Sequence, residues 1–234
     1  MSVLPLVRRR ALAGVTSLVL GAPLACAKKD ATSPDPKAAS LLIVQGANQS
    51  VQGGKELPTP IVLRVLDASG GPVEAVPISF VVAAGGGSVT PGTLASDKNG
   101  EAKTKWTLGS ADATQKLEAT APGLGGVLVV NATAILPSDI IIVQGNNQSA
   151  RAGQQLPNAL VVRVVGASNV PMVGVQVGFQ IAAGGGVITP QSATTNAAGE
   201  VTARWTMGPT AGTNALSVFV GSLPAQLVAA TGTP

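Results

Sequence analysis

The 234-residue chain has no histidine, no tyrosine and a single cysteine, Cys26. Without histidine there is no Ser-His or Cys-His nucleophilic dyad, and with one thiol there is no His- or Cys-based metal centre. A lone cysteine also excludes an intramolecular disulfide, so stability must come from packing. Aromatic residues make up 2% of the chain, too few to line the concave pocket that an enzyme of this size wants. Charged residues are only 11%, and the pI near 9.6 misleads. Three of the 15 basic residues, Arg8, Arg9 and Arg10, precede Cys26; beyond it 12 basic side chains face 11 acidic ones, a net charge of +1. Lys103 and Lys105 are the nearest approach to a basic cluster, and only Arg204 recurs at a matching place, so nucleic acid is not an expected partner. What remains is 45% hydrophobic residues with 29 Gly and 17 Pro, a mixture that suits short strands joined by tight turns.

Residues 1–26 read as an export signal. Arg8-Arg9-Arg10 forms a basic segment, Ala11 to Leu20 an apolar one, and Gly21 to Cys26 a small-residue cleavage zone. The apolar run falls short of the roughly 20 residues that a bilayer span needs. Asn131, Pro137 and Asp139 interrupt the other apolar stretch, Val127 to Val143. Leu24-Ala25-Cys26 resembles the lipobox of bacterial lipoproteins, departing from it at Pro23 where an aliphatic residue is usual. The resemblance implies diacylation of Cys26, hence a membrane held through a lipid anchor. Ala27, rather than Asp, after the cysteine implies the outer membrane under the sorting rule of enteric lipoproteins. Ala25-Cys26-Ala27 also reads as an A-x-A site, whose cleavage would release a periplasmic or secreted protein. Residues 27–39, with Thr32-Ser33-Pro34-Asp35-Pro36, read as a flexible tether.

Beyond the tether the chain repeats itself. Ile43-Val44-Gln45-Gly46-Ala47-Asn48-Gln49-Ser50 returns as Ile142-Val143-Gln144-Gly145-Asn146-Asn147-Gln148-Ser149, an offset of 99. The offset persists through Phe80 and Phe179, Gly100-Glu101 and Gly199-Glu200, and Trp106-Thr107 and Trp205-Thr206. Two units follow, 40–135 and 138–232. Both read as β throughout. Val76, Ile78 and Phe80 share one strand face, as do Val175, Val177 and Phe179. After Asn99-Gly100, read as a tight hairpin, Ala102, Thr104, Trp106 and Leu108 share a face opposite Lys103 and Lys105. Many short strands in about 95 residues indicate a β-sandwich.

The first unit carries Leu63-Arg64-Val65-Leu66-Asp67-Ala68-Ser69-Gly70-Gly71-Pro72-Val73 and then Val76-Pro77-Ile78-Ser79-Phe80. Further on it carries Asp97-Lys98-Asn99-Gly100-Glu101-Ala102 leading to Trp106-Thr107-Leu108-Gly109. These segments resemble the bacterial immunoglobulin-like domains of the Big-1 kind, found in intimin- and invasin-like surface proteins. The second unit departs at Gly166 for Asp67, Asn169 for Gly70 and Asn196 for Asp97. The resemblance covers nearly all of 40–232. It implies an all-β chain of two tandem immunoglobulin-like sandwiches acting as exported stalks, spacers or adhesive tips.

No catalytic, cofactor or metal residue is expected, and the chain is read as a non-enzyme. Glu101 and Glu200 are the only acids that recur, each after a turn glycine where an exposed Glu is ordinary. Asp67 and Asp97 suggest calcium less than turn-starting carboxylates bonded to their own backbone. Both tryptophans are expected in the core. Ala84-Gly85-Gly86-Gly87 is read as a flexible loop at a strand end, without the pattern or helix of a phosphate cradle. The expected contact surface is polar loops at the far end, including Asn169 and Thr210 to Asn214. The partner would be a protein or glycan on a cell surface. The second unit has few charges (Asp139, Arg151, Arg163, Glu200 and Arg204), which would tolerate weak self-association. A carbohydrate- or peptide-binding module is the alternative reading.

Overall fold

The computed structural model describes residues 37–234. The signal, the lipidation of Cys26 and nearly all of the tether lie outside the described residues.

The first repeat contributes β1 (Ser40–Gln45), β2 (Gln49–Gln52), β3 (Ile61–Leu66), β4 (Pro77–Ala84), β5 (Gly87–Thr90), β6 (Thr93–Ala95), β7 (Glu101–Leu108), β8 (Thr114–Thr120) and β9 (Leu128–Ile135). They form a four-stranded sheet, β1-β3-β7-β5, and a five-stranded sheet, β2-β9-β8-β4-β6. The second repeat supplies β10 (Pro137–Gln144), β11 (Gln148–Arg151), β12 (Leu160–Gly166), β13 (Gln176–Ala183), β14 (Gly186–Thr189), β15 (Ser192–Thr194), β16 (Glu200–Met207), β17 (Gly212–Phe219) and β18 (Gln226–Thr233). Its sheets, β10-β12-β16-β14 and β11-β18-β17-β13-β15, have the same order. The described residues are therefore all-β, with immunoglobulin-like sandwich sheets in both repeats.

The alternation in the sequence is what makes the layers stick. In β7, Ala102, Thr104, Trp106 and Leu108 are buried while Lys103 and Lys105 are exposed. Trp106 meets Ile61, Leu63, Ile78 and Leu117 in one core, and Trp205 meets Val162, Val177 and Leu216 in the other. Side chains of this size contribute about 1.5–3 kcal/mol each on full burial. Each sandwich is closed at its start by a strand that changes sheets. β1 pairs with β3, and after Gly46 (φ +97°) the chain crosses over so that β2 runs parallel to β9. An L side chain is strained at that φ, and a Cβ there would lie 2.9 Å from Ile61 Cα, which explains why Gly145 recurs at the same step.

The Asn99-Gly100 step is not a hairpin. β6 pairs with β4 and β7 with β3, so the turn carries the chain from one sheet to the other. Only Gly100 takes positive φ, and the Asp97 carboxylate holds the corner by accepting from the Asn99 and Glu101 N–H groups at 2.8 and 2.9 Å. The Gly85-Gly86-Gly87 segment does lie at a strand end, but as a packed turn rather than a loose loop. Gly109 rests against the Gly85 carbonyl, and the buried Gln115 amide donates to Gly85 O at 3.3 Å. The repeat offset also slips late: Leu117 pairs with Val130 and Leu216 with Val228, so the last strand sits at 98.

Candidate functional site

Two recurring ion pairs stand on the four-stranded sheets. Arg64 and Glu101 are direct partners across β3 and β7, and the guanidinium binds the carboxylate. Arg163 and Glu200 repeat the arrangement, with Nε donating to Oε1 at 3.1 Å. Glu101 and Glu200 are thus not the exposed turn residues expected; their side chains are 28% and 24% accessible and are tied to arginines. Such half-exposed pairs are worth at most about 1 kcal/mol. The signal was available: an Arg and a Glu retained together, 37 residues apart, in both copies.

Asp67 behaves as a turn carboxylate. Its Oδ1 accepts from the Ser69 hydroxyl at 2.7 Å and from the Ser69 and Gly71 N–H groups at 2.8 Å. Those bonds, the Ser69 hydroxyl first, hold its pKa below the ordinary 3.8. The Glu101 N–H foremost does the same for Asp97, against the opposing effect of burial. In the second repeat Asn196 Oδ1 replaces Asp97, accepting from the Ala198 and Glu200 N–H groups at 2.9 Å. An amide oxygen serving equally well points to backbone capping rather than a cation site. Among the described residues, no group of three or more His, Cys, Asp or Glu lies together.

Both tryptophans are in the core, Trp106 at 0% and Trp205 at 1% exposure. Neither indole Nε1 has a protein hydrogen-bond partner. Sequence reasoning missed the buried hydroxyls Ser96 and Thr195, which accept from Val76 N and Val175 N and donate to Val73 O and Met172 O. Each pins the loop that follows β3 or β12.

The repeats meet at a short junction. β9 ends at Ile135 and β10 begins at Pro137, leaving Leu136 alone between them. Leu136 packs against the first core and Ile135 against the second. Gln52 clamps the second repeat through its amide: Nε2 donates to Val173 O at 2.7 Å and Oε1 accepts from Val173 N at 3.1 Å. This geometry relocates one predicted contact residue. β12 runs antiparallel to β10, which leaves the junction, so the loop after β12 returns there and brings Asn169 with it. Thr210 and Ala211 on the β16–β17 loop, with Gly212 and Thr213 at the start of β17, remain exposed, and the counterpart loop in the first repeat lies at the junction beside Leu136. They therefore sit at the opposite end of the second sandwich. Asn214 does not join them, because its side chain is 0% exposed and Nδ2 donates to Gly212 O at 3.1 Å.

No protein-family model matches the sequence, and no curated protein matches it either. Among solved structures, the chain is similar to the Yersinia pseudotuberculosis adhesin InvE (19% identity, 83% of this chain, 58% of that one, TM-score 0.43). It is also similar to invasin, described as a bacterial integrin-binding protein (20% identity, 84% and 40% covered, TM-score 0.44). A third is the surface layer protein SbsC, domains 4–9 (14% identity, 85% and 32% covered, TM-score 0.35). The chain thus spans 58% of the first and 40% of the second. The sandwich architecture is visible in the strand order itself.

Proposed function

We propose that the chain is a non-enzymatic, exported cell-envelope protein whose tandem sandwiches serve as a spacer and interaction module. In this reading residues 1–26 direct export, Cys26 receives the lipid, and 27–39 tether the first sandwich to the outer membrane. Units 40–135 and 138–232 then stand in series, and the contacted partner is a protein or glycan on a cell surface. The observation that supports the spacer role is the junction. One residue, Leu136, separates β9 from β10, and the Gln52 amide bridges the repeats. A connection so short and so bonded favours a fixed relation between the units over two freely swivelling ones. The second reading, a periplasmic or secreted carbohydrate- or peptide-binding module, is favoured by one recess on the second sandwich beside Phe219.

Protease treatment of intact cells, beside a Cys26→Ser variant, tests the proposal. Digestion of the wild-type protein together with release of the variant to soluble fractions is the expected result. Protection until the outer membrane is broken would overturn the surface role and leave the periplasmic reading.

A further inference from the structure

Of the three Phe and two Trp in the chain, four are buried and one is not. Phe80, Phe179, Trp106 and Trp205 lie at 4% exposure or less, whereas Phe219 is 42% exposed near the end of β17. Its ring lies over Gly178, the residue directly opposite on β13, so that a Cβ at 178 would collide with Cε1, Cε2 and Cζ. On the other side of Gly178, Ser192 of β15 is its direct partner. The ring thus covers the bare glycine, which is buried beneath it, and a recess lies beside the ring and the Ser192 hydroxyl. The recess is about 270 Å³ and is completed by Gln176, Gln191 and Gly221. Gln176 Nε2 and Ser192 Oγ lie 3.5 Å apart, close enough to orient the amide.

The exposed ring, the bare glycine and the two amides are absent from the first repeat. At the matching positions it has Pro77, Ser79, Gly92, Thr93, Thr120 and Pro122. The surrounding face differs in the same direction: Lys116 and Glu118 of β8 become Ala215 and Ser217 of β17. The second repeat has therefore gained an aromatic and two amides on one surface, keeping a hydroxyl where Thr93 becomes Ser192, while losing charge there.

We infer that the recess at Phe219 is a binding site for a neutral saccharide. An aromatic face is negative at its centre and attracts the weakly positive C–H face of a pyranose ring. The Gln176 and Gln191 amides each offer a donor and an acceptor, the pairing that adjacent sugar hydroxyls require, and Ser192 adds one more of each. The lining carries no basic side chain to hold a carboxylate or sulfate, which selects against acidic sugars. An open recess of this size suits one or two rings of a longer glycan, bound weakly and strengthened by multivalent display. The assignment rests on reading the second sandwich as an interaction module, and it does not depend on export or on Cys26.

The test is binding of the purified full chain to an array of neutral and acidic oligosaccharides, followed by calorimetry with the best neutral ligand. Binding confined to neutral glycans, weakened about tenfold or more by Phe219→Ala and retained by Phe219→Trp, is the expected result. Gln191→Ala should weaken binding with an unchanged melting curve, which separates recognition from folding. An array without neutral hits, a preference for acidic glycans, or affinity indifferent to Phe219→Ala and Gln191→Ala would overturn the site. So would a Phe219-dependent dimer in sedimentation with no saccharide bound, which would make this face a contact between copies. Any of these can occur with the protease result on cells unchanged, so the site and the surface proposal fail separately.

Discussion

The corner after β3 and the corner after β12 occupy the same place in two copies of one fold, yet they are built differently. The first is open to solvent and is organised by the Asp67 carboxylate. The second has Gly166 instead and turns through a short 3₁₀ segment, Ala167–Asn169, with Ser168 and Asn169 at φ +58° and +59°. The neighbour explains the difference. A Cβ at 166 would lie 2.6 Å from Ile135 Cγ2 and 2.8 Å from Leu136 O, so the corner that docks on the first sandwich has no room for a side chain. A departure between repeats that looks like drift in the sequence is the imprint of a contact.

The largest test of how alike the two sandwiches are lies in their cores. Trp106→Ala and Trp205→Ala should each cost about 3–5 kcal/mol in the sandwich that carries them. Far-ultraviolet circular dichroism in urea follows the altered sandwich, while the remaining tryptophan in each variant reports the other sandwich by fluorescence, and that midpoint should move far less. An unchanged midpoint in the altered sandwich would contradict burial of the ring. Gly166→Asp, which copies the first corner into the second, is expected to cost about 1–3 kcal/mol through overpacking at the junction. The reverse change, Asp67→Gly, disturbs only an exposed turn; if it proved the more damaging of the two in thermal melts, the docking explanation would be wrong.

The smallest effect is on acid sensitivity. The folded-state pKa values of Asp67 and Asp97 lie below the ordinary 3.8. Their contribution is therefore complete above pH 3.8 and is lost as pH falls through the lower folded values. Asn196 cannot titrate and Gly166 has no side chain, so the second sandwich lacks this particular loss. Asp97→Asn should lessen the fall in the first sandwich's melting temperature as pH is lowered below 3.8, with Asp67 left as the remaining titrating corner. An identical pH profile in wild type and variant would remove the carboxylate from the account.

Much of the fold was legible because burial in a half-exposed strand has period two. Lys103 and Lys105 against Trp106 and Leu108 reveal a face without any knowledge of the partner strand. What period two does not encode is which sheet a strand joins. The Asn99-Gly100 step therefore looked like a hairpin, although β6 and β7 belong to opposite layers. The same gap hid the Arg64–Glu101 pair, since its register depends on β3 lying beside β7. Asn169 was misplaced because the end of a sandwich to which a loop belongs depends on strand direction. Phe219 was overlooked for another reason: five aromatics suggested that stacking was unavailable, and only burial shows that a single one was left outside.

The parallel pairing of β2 with β9, and of β11 with β18, has a mechanical consequence. Each couples a strand near the start of a sandwich to its last strand, over the four residue pairs Gln49–Ala132 to Gln52–Ile135 and Gln148–Ala230 to Arg151–Thr233. When the two ends of a sandwich are pulled apart, parallel neighbours slide lengthwise against each other. All the backbone bonds between them then bear tension at once instead of opening one after another. With Leu136 the only residue between β9 and β10, little slack separates one such clasp from the next. A chain stretched between two anchored points would thus resist extension at each repeat in turn, and the sandwich with the weaker clasp would yield first.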